Sequence, residues 1–198
     1  RLFPQTTKEN MGISASDIII FFTVAISLVC CNLLPNEIRS GKWIIAMEAG
    51  YTQYQMLFSK MLVYGGCSAF PVFIGYNLYY MLSGIFISNN YAPITSFCNS
   101  IMIAIAIFFI TTLSITLSMI YKNHIMAVIT IMVTVLVAPD ILTLFSFGKV
   151  LPTYLLTFVY HSSDNFAELI IPCIALVFLQ SGLCYMAIKR FGKTKFSR

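Results

Sequence analysis

Apolar residues run along this chain in stretches far longer than one face of a soluble helix needs, and polar residues gather in the short gaps between them. The longest such stretch, 61–121, contains no Asp, Glu, Lys or Arg. A turn-rich cluster of Ser88, Asn89, Asn90, Tyr91 and Pro93 divides it in two. A bilayer core about 30 Å thick takes about 20 apolar residues per helix, so each half is long enough to cross. The same reading along the whole chain predicts five spans, over residues 14–34, 54–87, 93–121, 124–144 and 166–188. None shows the apolar/polar alternation over about ten positions that marks a barrel strand. Helices satisfy their backbone groups within one segment, as hydrocarbon demands. The expected fold class is all-α: a polytopic integral membrane protein, residues 1–198 forming a single transmembrane domain.

Composition strengthens this picture, since 59% of residues are hydrophobic and only 10% charged, where soluble domains carry about 25% charged residues. The basic residues orient the spans. With a cytoplasmic tail over residues 189–198, the inner segments hold Arg39, Lys42, Lys60, Lys122, Lys189, Arg190, Lys193, Lys195 and Arg198, leaving Arg1, Lys8 and Lys149 outside. That is the positive-inside bias. The net charge of +5 therefore points to anionic lipid headgroups and the bilayer as partner, not to nucleic acid. An odd number of spans ending inside makes 1–13 an outer loop and predicts a further span before residue 1.

Chemistry-bearing residues are sparse. Cys30, Cys31, Cys67, Cys98, Cys173 and Cys184 fall mostly in apolar spans with no CxxC spacing, His124 lies at a predicted inner boundary and His161 in the outer loop before the last span, so no metal site is expected. Asp17 and Glu168 sit near the outer ends of their spans and are candidates for the substrate pathway, although an interfacial carboxylate needs no such role. Thr111, Thr112, Ser114, Thr116 and Ser118, with Thr130 and Thr134 in the next span, suit close helix packing and bonds to their own backbone. Gly65-Gly66 and Pro71 predict tight packing or a bend.

The inner segment 36–50 is too polar to span and too apolar for a plain linker. Asn36 is placed to cap a helix beginning at Glu37, and Gly50 to stop it. Trp43, Ile44, Ile45 and Met47 are expected on the membrane face, with Glu37, Arg39, Lys42 and Glu48 in water, as in a short interfacial helix. Thr52 and Gln55 fit a capping box for the following span.

A span ending in Leu33-Leu34, then Glu37, Ser40-Gly41-Lys42, an apolar stretch, and Tyr54 and Ser59-Lys60 opening another span, resembles the permease subunits of ABC-2 type ABC transporters. The chain departs from that pattern in having Lys42 where a small residue follows the glycine, and in lacking a first helix. The resemblance implies six spans in the full subunit and two subunits, identical or different, around one pathway. It makes 36–50 a coupling helix that rests in a groove of a cytoplasmic ABC ATPase, with Glu37, Arg39, Gly41, Lys42 and Glu48 as the coupling residues. ATP and Mg would belong to that partner, and this chain, with no GxxxxGK[ST] loop, would carry no cofactor. It also implies that residues 145–164 form an outer re-entrant hairpin acting as a gate, with Leu151, Leu155 and Phe158 in it.

The function expected is the permease subunit of an ATP-driven exporter in the cell membrane, moving a hydrophobic or amphipathic substrate such as a peptide, drug or lipid-linked molecule outward. Ten Met and seventeen Phe make a soft interior suited to such cargo. An enzyme working inside the membrane would need ionisable groups converging there, whereas these lie near predicted span ends. A sensor or immunity subunit on the same fold is an alternative that sequence does not separate.

Overall fold

The computed structural model describes the backbone of residues 7–86, 93–121, 124–137 and 170–195, and side chains within 20–83, 93–121, 124–135 and 173–190. The described residues are all-helical. In chain order they form α1 (Thr7–Arg39), α2 (Lys42–Glu48), α3 (Gln53–Phe86), α4 (Pro93–Ile120), α5 (His124–Met132), which runs into a π-helical turn (Val133–Val137), and α6 (Ile170–Lys195). Segments of four of these, Ile20–Arg39, Gln53–Ser83, Pro93–Ile120 and Cys173–Arg190, are long and apolar enough to cross a membrane.

Of the expected fourth span, 124–144, the structure describes the apolar helix from His124 into the π-helical turn that ends at Val137. Four helices among the described residues are long and apolar enough to cross, and residues 138–144 of the expected fourth span lie outside them. The hairpin expected over 145–164 lies outside them. Helix α6 does not end at Ile188 but continues through Lys189 and Arg190 to Lys195, so most of the expected tail is helical. At about 1.5 Å per residue, the 34 residues of α3 reach about 50 Å, more than the hydrocarbon thickness.

Helix α4 is the centre. It packs against α3, α1, α6 and α5, and residues 111–119 are all buried. Such burial of five hydroxyl residues is possible because each bonds its own helix: Thr111 Oγ1 donates to Ile107 O (2.8 Å), Thr112 to Phe109 O (3.0 Å), Ser114 to Ile110 O (2.8 Å), Thr116 to Leu113 O (3.0 Å) and Ser118 to Ile115 O (2.7 Å). Two further polar contacts join α3 to α4, Ser68 Oγ with Thr111 Oγ1 at 2.7 Å and Asn77 Nδ2 to Ser100 Oγ at 2.9 Å. Gly65 lies so close to Phe108 that a Cβ there would come within 2.6 Å of two ring carbons. Gly66 faces open space, so only the first of the two glycines serves close packing.

Around this centre the other helices turn large apolar side chains outward, including Phe21 and Val29 on α1, Phe58, Phe70 and Met81 on α3, and Val177 and Phe178 on α6. A soluble monomer rarely exposes so much apolar surface; for a membrane protein the same faces meet lipid.

Helix α1 departs from expectation at its end. It runs through Pro35 to Arg39, so Asn36 is an interior residue and not a cap, and Glu37 and Arg39 belong to α1 instead of the short helix after it. Proline removes one helical hydrogen bond and crowds the carbonyl four residues back. Packing outweighs that cost here: the stripe of Ile26, Cys30, Cys31 and Leu34 is buried, Ile38 packs against the same core one turn on, and Cys31 Sγ reaches Ser114 O on α4 at 3.7 Å.

Candidate functional site: a pocket in the α1–α3 elbow

Two corners link α1 to α3. At the first, Ser40 Oγ donates to the Glu37 carbonyl (3.0 Å) and Gly41 N to Ile38 O (3.2 Å), closing the last turn of α1. Gly41 has φ +76°, a left-handed conformation that other residues adopt at a cost. Its carbonyl then accepts from Ile44 N (2.9 Å) and Ile45 N (3.3 Å) to start α2.

At the second corner Tyr51 N bonds Ala46 O (3.1 Å) and Gly50 N bonds Met47 O (3.0 Å), with Gly50 at φ +91°. This is a Schellman termination, and it bears out Gly50 as the stop. The capping box follows as expected: Thr52 N donates to Gln55 Oε1 (2.9 Å) and Gln55 N to Thr52 Oγ1 (3.3 Å).

The corners bring Glu37 and Lys60, 23 positions apart, into an ion pair with Nζ 2.6 Å from Oε1. Lys60 also lies over the Tyr64 ring, 5.7 Å from its centroid. The side chains are 15% and 34% exposed respectively, and Glu37 Oε2 is buried without a hydrogen-bond partner. Beside the pair is a pocket of about 290 Å³. Its walls come from Trp43, Ala46, Tyr51 and Met56, and its polar lining from Glu37, Lys42, Gln55, Ser59 and Lys60.

The expected coupling residues thus separate. Arg39, Lys42 and Glu48 are exposed, Gly41 forms the first corner, and Glu37 turns into the chain toward Lys60. Trp43, expected on the membrane face, is buried at 2% exposure, while Ile44 and Ile45 remain outside at 46% and 66%. The reason is helical spacing. With Met47 partly buried four residues on, Trp43 shares the inward side of a seven-residue helix too short to offer a second broad apolar face. Leu151, Leu155, Phe158 and Glu168, and the side chain of Asp17, lie outside the described residues.

No family model, curated protein or solved structure matches this chain.

Charge is segregated even so. Cys184 Sγ meets Met61 Sδ at 3.6 Å, which sets the end of α6 beside the start of α3; Lys189 and Arg190 follow one to two turns later. Arg39, Lys42, Lys60, Lys189 and Arg190 therefore gather at the elbow end of the bundle, with Glu37 and Glu48, while Lys8 stands in the first turn of α1, at that helix's other end. Sequence reasoning singled out Glu37 and Lys60 separately and did not pair them. Their opposite charge on either side of two glycine corners was the available signal. The pocket's ammonium groups, indole and phenol beside an internally neutralised carboxylate equip it for binding an amphipathic anion.

Proposed function

We propose that this chain is the transmembrane permease subunit of an ATP-driven exporter of the ABC-2 type, with the elbow facing the cytoplasm. In this reading a separate ABC ATPase supplies hydrolysis, a second permease subunit completes the pathway, and a hydrophobic or amphipathic substrate moves outward.

The observation that carries the reading is the elbow: a short, doubly terminated surface helix between two long apolar helices, built on the Glu37, Gly41 and Lys60 that carry the sequence resemblance. Gathering of Arg39, Lys42, Lys60, Lys189 and Arg190 at that end supports its cytoplasmic placement. Arg39 and Glu48, exposed at either side of α2, are the contacts offered to the ATPase, and Glu37 holds the corner from which they project. Coupling then consists in moving α2 against the ATPase while the ion pair passes that movement to α1 and α3.

Purification of the tagged chain from its native membrane should bring down an ATPase subunit whose hydrolysis rises with amphipathic peptides. Arg39→Ala and Glu48→Ala should weaken that association, because an interfacial charge left without its partner costs affinity. Recovery of the chain without an ATPase, or association and export unchanged in the double variant, would overturn the reading. Orientation is tested separately: a cysteine introduced at Glu48 should be shielded from a membrane-impermeant thiol reagent in intact cells, and one at Pro93 should react.

A further inference from the structure

We infer that the elbow pocket binds the headgroup of an anionic phospholipid. The inference uses the membrane setting of the proposed function but needs no ATPase, so the two readings fail independently.

Size comes first. At about 290 Å³ the pocket lies just below the range of drug-sized ligand sites, about 300–1,000 Å³. It admits a phosphodiester with its glycerol but leaves the acyl chains outside. Charge selects the sign. Glu37 is taken by Lys60, whose ammonium has three donors and gives one of them to that carboxylate. Lys42 also lines the pocket and makes no ion pair among the described residues. The lining therefore keeps one net positive charge, matched to a singly charged phosphodiester and repelling the quaternary ammonium of a choline headgroup. Gln55 uses its Oε1 to accept from Thr52 N, which leaves its amide N–H groups as further donors.

The apolar part of the lining distinguishes a lipid from a soluble phosphate. Trp43, Ala46 and Met56 form a wall that free phosphate would not use. Ile44 and Ile45 stand exposed on the same short helix, where acyl chains can cover them. Basic pockets between membrane helices at a cytoplasmic face are built for such headgroups. A lipid seated there leaves Arg39 and Glu48, which do not line the pocket, available to a protein.

Trp43 is the chain's one tryptophan, so intrinsic emission reports this pocket directly. The full chain in phosphatidylcholine nanodiscs should show a saturable emission change as phosphatidylglycerol replaces phosphatidylcholine. Lys42→Gln should raise the half-saturating fraction about fivefold, the effect of one basic residue near a membrane surface. Lys189→Gln, altering a basic residue at the same end but outside the lining, should titrate as wild type. Should Lys42→Gln perturb folding by circular dichroism, Gln55→Glu, which adds a negative charge to the lining, gives the same test. An unsaturable response shared by Lys42→Gln and Lys189→Gln would mean surface potential alone and overturn the inference. So would an equal emission change from inorganic phosphate added to pure phosphatidylcholine discs.

Discussion

Removing one charge from the Glu37–Lys60 pair should cost different amounts depending on which partner is lost. In Glu37→Gln the ammonium of Lys60 survives with a third of its side chain exposed. It can turn to water, and the loss stays near the upper end for exposed pairs, about 1 kcal/mol. In Lys60→Gln the carboxylate survives at 15% exposure, with one oxygen already buried and unpartnered. That case approaches the loss of a partner from a buried pair, about 3 kcal/mol. The contact of Lys60 with Tyr64 disappears too, worth roughly 0.5 kcal/mol where solvent reaches it. The double variant leaves no stranded charge, so it should be more stable than Lys60→Gln alone. The assay is reversible SDS-driven unfolding of the purified chain in mixed micelles, followed by far-ultraviolet circular dichroism, for wild type and all three variants. Equal losses in the two single variants, or strict additivity in the double, would refute the claim that the pair is asymmetrically buried and coupled.

The α3–α4 seam gives two further tests by the same unfolding assay. Gly65→Ala should destabilise by about 1–3 kcal/mol through overpacking against Phe108, whereas Gly66→Ala, with open space before it, should be neutral or stabilising by up to about 1 kcal/mol from helix propensity; the reverse order would contradict the packing described. Asn77→Ala should lose only about 0.6 kcal/mol from its bond to Ser100, the average for interhelical hydrogen bonds in membranes, and a loss several times larger would show that this contact anchors more of the bundle.

Much of the fold was legible because the dominant signals are local. Helix α3 was expected over 54–87 and spans Gln53–Phe86; α4 was expected over 93–121 and spans Pro93–Ile120. Both boundaries are set by a charge-free stretch and a cluster of turn formers. The capping box and the Gly50 termination were readable for the same reason, since each is complete within six residues. The hydroxyl threads of α4 were expected to bond their own backbone, and every one does.

What was missed depended on contacts between segments distant in sequence. Nothing within the run from Leu33 to Gly41 shows that Ile38 will pack against the same core as Leu34, and without that contact Pro35 and Asn36 read as a helix end and a new cap. Carrying α1 through to Arg39 moves Glu37 onto the end of a spanning helix. There its carboxylate meets Lys60 instead of water, a change of role produced by roughly one turn of extra helix. The same extension leaves α2 only seven residues, so its sides are divided sharply: Trp43 goes inward, and Ile44 and Ile45 go out. The pocket follows from these displacements together, since it needs Glu37 on α1, Trp43 turned in from α2 and Lys60 on α3. A site assembled from three helix ends has no contiguous motif, and it becomes visible only when the packing that overrides Pro35 is known.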